Sequence, residues 1–175
     1  RKESSAASDV YKRQGLGLGV VFAVVTGGIA VAAGKAKLFT GTAPGMLVLF
    51  LLGYLIQGMA EELLYRSYLM VTIARRYSMT VAVLISAVIG ALPYAAGAVE
   101  APLAFLNGML FGIFAALYLI RRGNIWGIGA FHAAWSFVRD IVFGTPDQVA
   151  TVVVLLVGMI LVGGKRPWGK AESCC

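Results

Sequence analysis

The chain has few of the residues from which most catalytic and metal centres are built. Among 175 residues it holds a single histidine, His132, and two cysteines, which are adjacent at its end, Cys174 and Cys175. Neither cysteine has a distant partner for a disulfide that would fix the fold, and we expect both to lie in an exposed tail. A zinc peptidase needs about three protein ligands, classically in a His-Glu-x-x-His motif. With one histidine available, we expect no metal and no other cofactor.

Charge is also scarce along the chain. Charged residues make up 13% of the sequence, against about 25% in soluble domains. In contrast, 59% of the residues are hydrophobic and the mean hydropathy is +0.84. This composition predicts an integral membrane protein whose main partner is the lipid bilayer. The net charge of +7 is then expected in cytoplasmic loops, which argues against nucleic acid as a partner.

The first residues do not fit a membrane protein. Ser4–Gln14, read as SSAASDVYKRQ, resembles the in-frame translation of a common transposase sequencing adapter. We therefore expect residues 1–14 to be non-native and the natural sequence to start at Gly15, inside a longer gene with further upstream helices. The alternative is a genuine polar amino terminus. The membrane domain is then expected over residues 15–163, followed by a basic tail over residues 164–175.

Six apolar runs predict the membrane helices. They cover residues 15–34, 45–73, 80–96, 102–120, 125–143 and 148–162. Such runs suit an all-α, polytopic transmembrane helix bundle of about six helices in a single domain. Successive helices cross the bilayer in opposite directions, so the ends of the runs fall alternately on its two sides. One side then carries Arg75, Arg76, Arg121, Arg122, Lys165, Arg166 and Lys170, and the other carries Lys35, Lys37 and Arg139. The more basic side, which includes the C-terminus, is expected to be cytoplasmic.

The second apolar run carries three charges, on Glu61, Glu62 and Arg66. Placing one charged side chain at the bilayer centre costs roughly 2.5–3.5 kcal/mol on insertion scales, so three of them need pairing, a wet cavity or a function. On a helix, Glu62 and Arg66 are four residues apart and are expected to form an ion pair. Glu61 lies on a neighbouring face. A carboxylate removed from water beside a second acid accepts a proton readily, as a general base must.

His132 is the second residue that indicates chemistry, because it shares this apolar chain with the carboxylates, and Ser136 follows one turn later. A packing role is the alternative. No serine lies in a Gly-rich turn of the kind that holds a nucleophile, and a pair of intramembrane aspartates is absent. The chemistry that remains is water activated by a glutamate, with polar side chains stabilising the oxyanion. A weaker alternative is a transporter or channel fragment that uses the acids as a proton or cation site.

These motifs resemble those of a known family. The segment Glu61-Glu62-Leu63-Leu64-Tyr65-Arg66 matches the Glu-Glu-x-x-x-Arg signature of the CAAX-protease and bacteriocin-processing family (CPBP, also called ABI) of intramembrane glutamic endopeptidases. Residues 102–108 and 124–135 resemble its following helices, and the likeness runs from about Leu49 to Gly144. It implies that Glu61 is the water-activating base, that Glu62 and Arg66 brace it, and that His132 helps to bind the oxyanion.

The same resemblance implies metal-independent hydrolysis of peptides or membrane proteins, in CAAX-type or bacteriocin-type processing. It also implies a place in the plasma membrane, and the sequence is of a bacterial type. The oligomeric state and the identity of the substrate are not predicted.

Two positions differ from the family's pattern. The motif Phe-x-x-x-His falls on residues 90–94, so Tyr94 stands where a histidine is expected, and the last motif ends in Ser136 instead of asparagine or aspartate. Tyrosine donates a hydrogen bond but is a poor base near pH 7. Losing one oxyanion donor costs roughly 10²–10³ in rate. The alternative function is therefore a catalytically impaired pseudoprotease that acts as an immunity or binding protein, unless Asp140 partly replaces the missing donor.

Overall fold

The protein is all-α over the part of the chain that the computed structural model describes, which is residues 2–36, 41, 43–95, 101–144 and 147–163. The helices in these ranges are α1 (Lys2–Ala32), α2 (Pro44–Ala74), α3 (Met79–Ala95), α4 (Ala101–Arg122), α5 (Ile125–Phe137, continued by Val138–Val142) and α6 (Gln148–Gly163). The predicted class and the predicted six helices are confirmed. The tail over residues 164–175, with both cysteines and its basic residues, and the loop residue Lys37 lie outside the described residues.

The helices are those of an integral membrane protein. Three described segments are long and apolar enough to cross a bilayer, namely Asp9–Ala32, Pro44–Ala74 and Ala101–Arg122. The helices α3 and α6 are shorter but equally apolar. Large aliphatic side chains point outward, and Ile56, Ile160 and Leu161 are each 72% exposed. In water such surfaces would drive aggregation, whereas hydrocarbon tails cover them without cost.

Helix α1 begins well before the apolar run that predicted it. It starts at Lys2 and continues without a break through the residues that we expected to be non-native. Within this segment the Lys12 ammonium lies 5.3 Å from the centre of the Trp126 ring. The non-native origin of residues 1–14 stays a prediction.

The chain divides into two compact units. The first contains residues 1–62 and 124–151, and the second contains residues 63–123 and 152–175. In the first unit α5 packs against both α1 and the first part of α2. Helix α5 can do so because glycine and alanine make up half of its residues 127–136, all of which are buried. Its start is fixed by Asn124, whose side chain accepts a hydrogen bond from the Gly127 N–H at 3.1 Å.

The start of α6 is joined to the end of α1 by one aspartate. Asp147 Oδ1 accepts hydrogen bonds from the N–H groups of Val149 at 2.9 Å and Ala150 at 3.1 Å, as a helix cap does. Its Oδ2 lies 3.1 Å from the Lys35 ammonium. The hydrogen bond from Ala150, and then the contact with Lys35, hold the pKa of Asp147 below its usual value.

In the second unit, α3 packs against α4 and against the later part of α2. Its apolar core contains Met70, Ala82, Val83 and Ala116. The Arg121 guanidinium donates a hydrogen bond to the carbonyl of Gly163 at 2.7 Å and so binds the end of α6.

Helix α2 changes its winding directly after the acidic pair. It is α-helical over Pro44–Glu62, π-helical over Leu63–Met70 and α-helical again over Val71–Ala74. A second π-helical stretch, Val138–Val142, follows the α-helical part of α5. Wide turns of this kind are rare and occur frequently at functional sites. The change of winding in α2 is therefore consistent with a functional site at Glu61 and Glu62.

The contact between α1 and α5 depends on a glycine, and this can be tested. A Cβ atom added to Gly19 would lie 2.5 Å from the carbonyl oxygen of Phe131, whereas one added to Gly28 meets nothing within 4 Å. We expect Gly19→Ala to lower the free energy of unfolding by about 1–3 kcal/mol through overpacking. Gly28→Ala, the control, should be neutral or slightly stabilising, since alanine is the better helix former. Thermal unfolding in detergent measures both, and equal shifts in the two variants would contradict the packing.

Candidate active site

The imidazole of His132 lies between two consecutive carboxylates. His132 Nδ1 is 2.8 Å from Glu62 Oε1, and His132 Nε2 is 3.8 Å from Glu61 Oε2. All three residues belong to the first unit. The glutamates stand at the end of the α-helical part of α2, and the histidine stands in the middle of α5. The fold thus brings together two residue positions that are 70 apart in sequence.

The two carboxylates differ in burial. The Glu62 side chain is 0% exposed, that of His132 is 8% exposed, and that of Glu61 is 28% exposed. Opposite an ionised Glu62, which only accepts hydrogen bonds, Nδ1 is the nitrogen that carries the proton. This bond fixes the orientation of the ring and turns Nε2 towards Glu61. The buried acid therefore holds the ring, and the more exposed acid faces the second ring nitrogen at a longer distance.

A glycine on α2 lets the two helices approach at this level. Gly58 precedes Glu62 by one turn, and a Cβ atom added to it would lie 3.0 Å from the backbone nitrogen of Ala133. On α5, the Met59 side chain occupies the space that a side chain on Gly129 would need. Because a glutamate side chain is short, the pair with His132 depends on this close backbone contact.

The arrangement does not form a metal site from these three side chains. Glu61 and Glu62 contact different nitrogens of one ring, and so they do not converge with a single ring nitrogen on one point. No group of three or more histidine, cysteine, aspartate or glutamate side chains suited to a metal ion occurs among the residues that the structure describes. A structural zinc site would need about four converging ligands and a catalytic one about three.

Ser136 and Asp140 extend the line of polar residues along α5. Ser136 is buried and lies one turn beyond His132. Asp140 accepts a hydrogen bond from the Tyr54 hydroxyl at 3.0 Å and two from Arg139, at 2.6 and 3.0 Å. These three bonds occupy the carboxylate of Asp140, which argues against it as a replacement for the missing oxyanion donor. Tyr54 was not predicted as its partner.

Arg66 and Tyr94 lie in the second unit, where each side chain packs against a glycine of α4. Arg66 is buried, and a Cβ atom added to Gly112 would lie 3.2 Å from its Nη2 atom. Tyr94 is exposed in the tight turn that ends α3, and a Cβ atom added to Gly108 would lie 2.8 Å from its ring. The Gly-x-x-x-Gly motif of α4 therefore makes room for two of the predicted site residues. The Glu62–Arg66 ion pair and the catalytic role of Tyr94 stay predictions.

Sequence reasoning missed one residue at the site. The Gln57 side-chain amide donates a hydrogen bond to Glu61 Oε1 at 2.9 Å. A signal was present, because Gln57 is the one amide side chain in the otherwise apolar stretch from Gly45 to Ala60 and precedes Glu61 by four residues. Side chains at this spacing lie on the same helix face.

The unequal burial of the two glutamates predicts unequal effects on stability. Glu62→Ala leaves the buried Nδ1–H of His132 without its acceptor, and we expect it to lower the free energy of unfolding by about 1–3 kcal/mol. Glu61→Gln, the control, keeps an oxygen acceptor for the Gln57 amide and has no short contact with the ring to lose, so it should change stability by less than about 0.5 kcal/mol. Thermal or denaturant unfolding in detergent compares them. Equal losses would contradict the division of roles.

Comparison with known proteins gives the family. No curated protein and no solved structure matches the chain. The family model described as type II CAAX prenyl endopeptidase Rce1-like matches residues 43–138, which is more than half of the chain. The match includes both glutamates, His132 and Ser136. With its membrane-spanning helices, the chain belongs to the Rce1-like family of type II CAAX prenyl endopeptidases, a family of membrane proteases.

Proposed function

We propose that the protein is an intramembrane, metal-independent glutamic endopeptidase in which Glu61 activates the water that attacks the peptide bond. The observation that supports this most directly is the position of His132 between Glu61 and Glu62, at 3.8 and 2.8 Å. A general base must lie within reach of its water, and the Glu61 side chain is the one carboxylate of the two that is partly exposed.

These positions support the following reaction. Glu61 takes a proton from water as the water oxygen bonds to the carbonyl carbon of the substrate, which gives a tetrahedral oxyanion. His132, held through Nδ1 by Glu62, donates from a protonated Nε2 to this oxyanion, and the Ser136 hydroxyl is a second donor. The proton on Glu61 then passes to the leaving nitrogen and the C–N bond breaks. The products are a carboxylic acid and an amine, which exchange a proton to give a carboxylate and an ammonium group, and Glu61 returns to its ionised form.

The remaining assignments extend this proposal. Arg66 braces the acidic pair, and the Tyr94 hydroxyl donates a hydrogen bond where relatives in the family carry histidine. Substrates are peptides or membrane-associated proteins, in CAAX-type or bacteriocin-type processing. The protein lies in a bacterial plasma membrane, with its C-terminus on the cytoplasmic side.

Replacing the base tests the function. We expect Glu61→Gln to abolish turnover, because an amide does not accept the proton of the attacking water. His132→Ala should lower kcat by roughly 10²–10³, as for the loss of an oxyanion donor. Asp147→Asn makes the same carboxylate-to-amide change outside the site and should keep the wild-type rate. The measurement uses the full chain in phospholipid vesicles, a quenched-fluorescent peptide library and a chelator of divalent metals.

Each outcome of that assay is informative. Turnover that survives Glu61→Gln would contradict the assignment of the base, and loss of turnover with the chelator would contradict metal independence. If folded wild-type protein also fails to cleave any peptide, the catalytically impaired alternative with an immunity or binding role is favoured instead.

Restoring the family's residues tests the two departures. We expect Tyr94→His and Ser136→Asn each to raise kcat by at least about tenfold, because each returns a side chain that the family's pattern uses at that position. Thermal unfolding of the same samples checks that both variants are folded. Unchanged rates in folded variants would show that these positions were aligned wrongly.

A further inference from the structure

Gln57 is in contact with the proposed base, although the function derived above gives it no role. It lies on α2 one turn before Glu61, and its Nε2 atom is 2.9 Å from Glu61 Oε1. The other carboxylate oxygen, Oε2, faces His132 Nε2 at 3.8 Å. The two oxygens of Glu61 are therefore distinguishable, since one accepts from an amide and the other lies towards the imidazole.

An occupied Oε1 leaves Oε2 to accept the proton of water. A glutamate side chain has several rotatable bonds, and a base is effective only when its free lone pair points at the proton that it abstracts. The hydrogen bond from Gln57 removes much of this freedom at one end of the carboxylate. It also occupies one of the two lone pairs of Oε1 and makes that oxygen the weaker acceptor, which favours binding of water on the same side as His132.

A purely structural role explains Gln57 less well. Gln–acid pairs at this spacing stabilise exposed helices in water by about 0.2–0.5 kcal/mol. Helix α2 is long and apolar on both sides of Gln57, and Ile56 beside it is 72% exposed. In hydrocarbon an amide is costly unless it is hydrogen-bonded, and an aliphatic residue would suit the helix better. The bond to Glu61 offsets that cost.

We propose that Gln57 is a positioning residue, which orients the Glu61 carboxylate so that Oε2 acts as the base. The inference rests on the proposed function, because it assumes that Glu61 activates water.

The test compares kcat and KM of the wild-type chain with those of two variants in phospholipid vesicles, on a peptide that the wild type cleaves. Gln57→Met keeps the length of the side chain but cannot donate, and we expect kcat to fall roughly tenfold with KM unchanged. Gln57→Glu places a second acceptor beside Glu61, and we expect a larger fall in kcat. Ile56→Met is the matched control, since it introduces the same residue at the adjacent, outward-facing position and should keep the wild-type kcat.

The outcomes separate this inference from the function on which it rests. If Glu61→Gln is inactive while Gln57→Met and Gln57→Glu keep the wild-type kcat, the positioning role is overturned and the function stands. The positioning role is also overturned if the Gln57 variants change only KM or the melting temperature, while kcat per folded molecule stays at the wild-type value. If Glu61→Gln cleaves like the wild type, the proposed function itself fails.

Discussion

The buried hydrogen bond between Glu62 and His132 is the interaction on which the site depends. A carboxylate that is shielded from solvent in a membrane-spanning helix lowers the stability of the fold by several kcal/mol unless a partner forms a hydrogen bond with it. Here the partner comes from another helix, at 2.8 Å, and the bond requires α2 and α5 to approach closely at Gly58. Once it is made, the orientation of the ring follows, and Nε2 faces Glu61.

The two glutamates lie in different environments because of helix geometry. Consecutive residues on an α-helix point about 100° apart, so that Glu61 and Glu62 cannot share one environment. Glu62 points into the packed contact with α5, whereas Glu61 points to a more open side, where Gln57 holds one of its oxygens. The π-helical winding that begins at Leu63 changes the direction of every later side chain on α2, including Arg66.

The helices were predictable from sequence, and the contacts between them were not. Bilayer thickness sets the length of an apolar run, so all six helices were found with small errors at their ends, apart from the early start of α1. The spacing of Glu62 and Arg66 indicated a partner on the same helix, but spacing cannot reveal a partner on another helix such as His132. The bond from Tyr54 to Asp140 was missed for the same reason. No pattern of residue types predicts the π-helical stretch.

The bond between Glu62 and His132 can be tested directly, because His132 is the single histidine of the chain. Labelling histidine with ¹⁵N gives one imidazole in the NMR spectrum of the protein in detergent micelles, purified without a histidine tag. We expect a hydrogen-bonded Nδ1–H whose resonance moves in Glu62→Gln and stays in place in Glu61→Gln, whereas the Nε2 resonance responds to Glu61→Gln. An Nδ1 resonance that is unchanged by Glu62→Gln would show that Glu62 does not hold the ring.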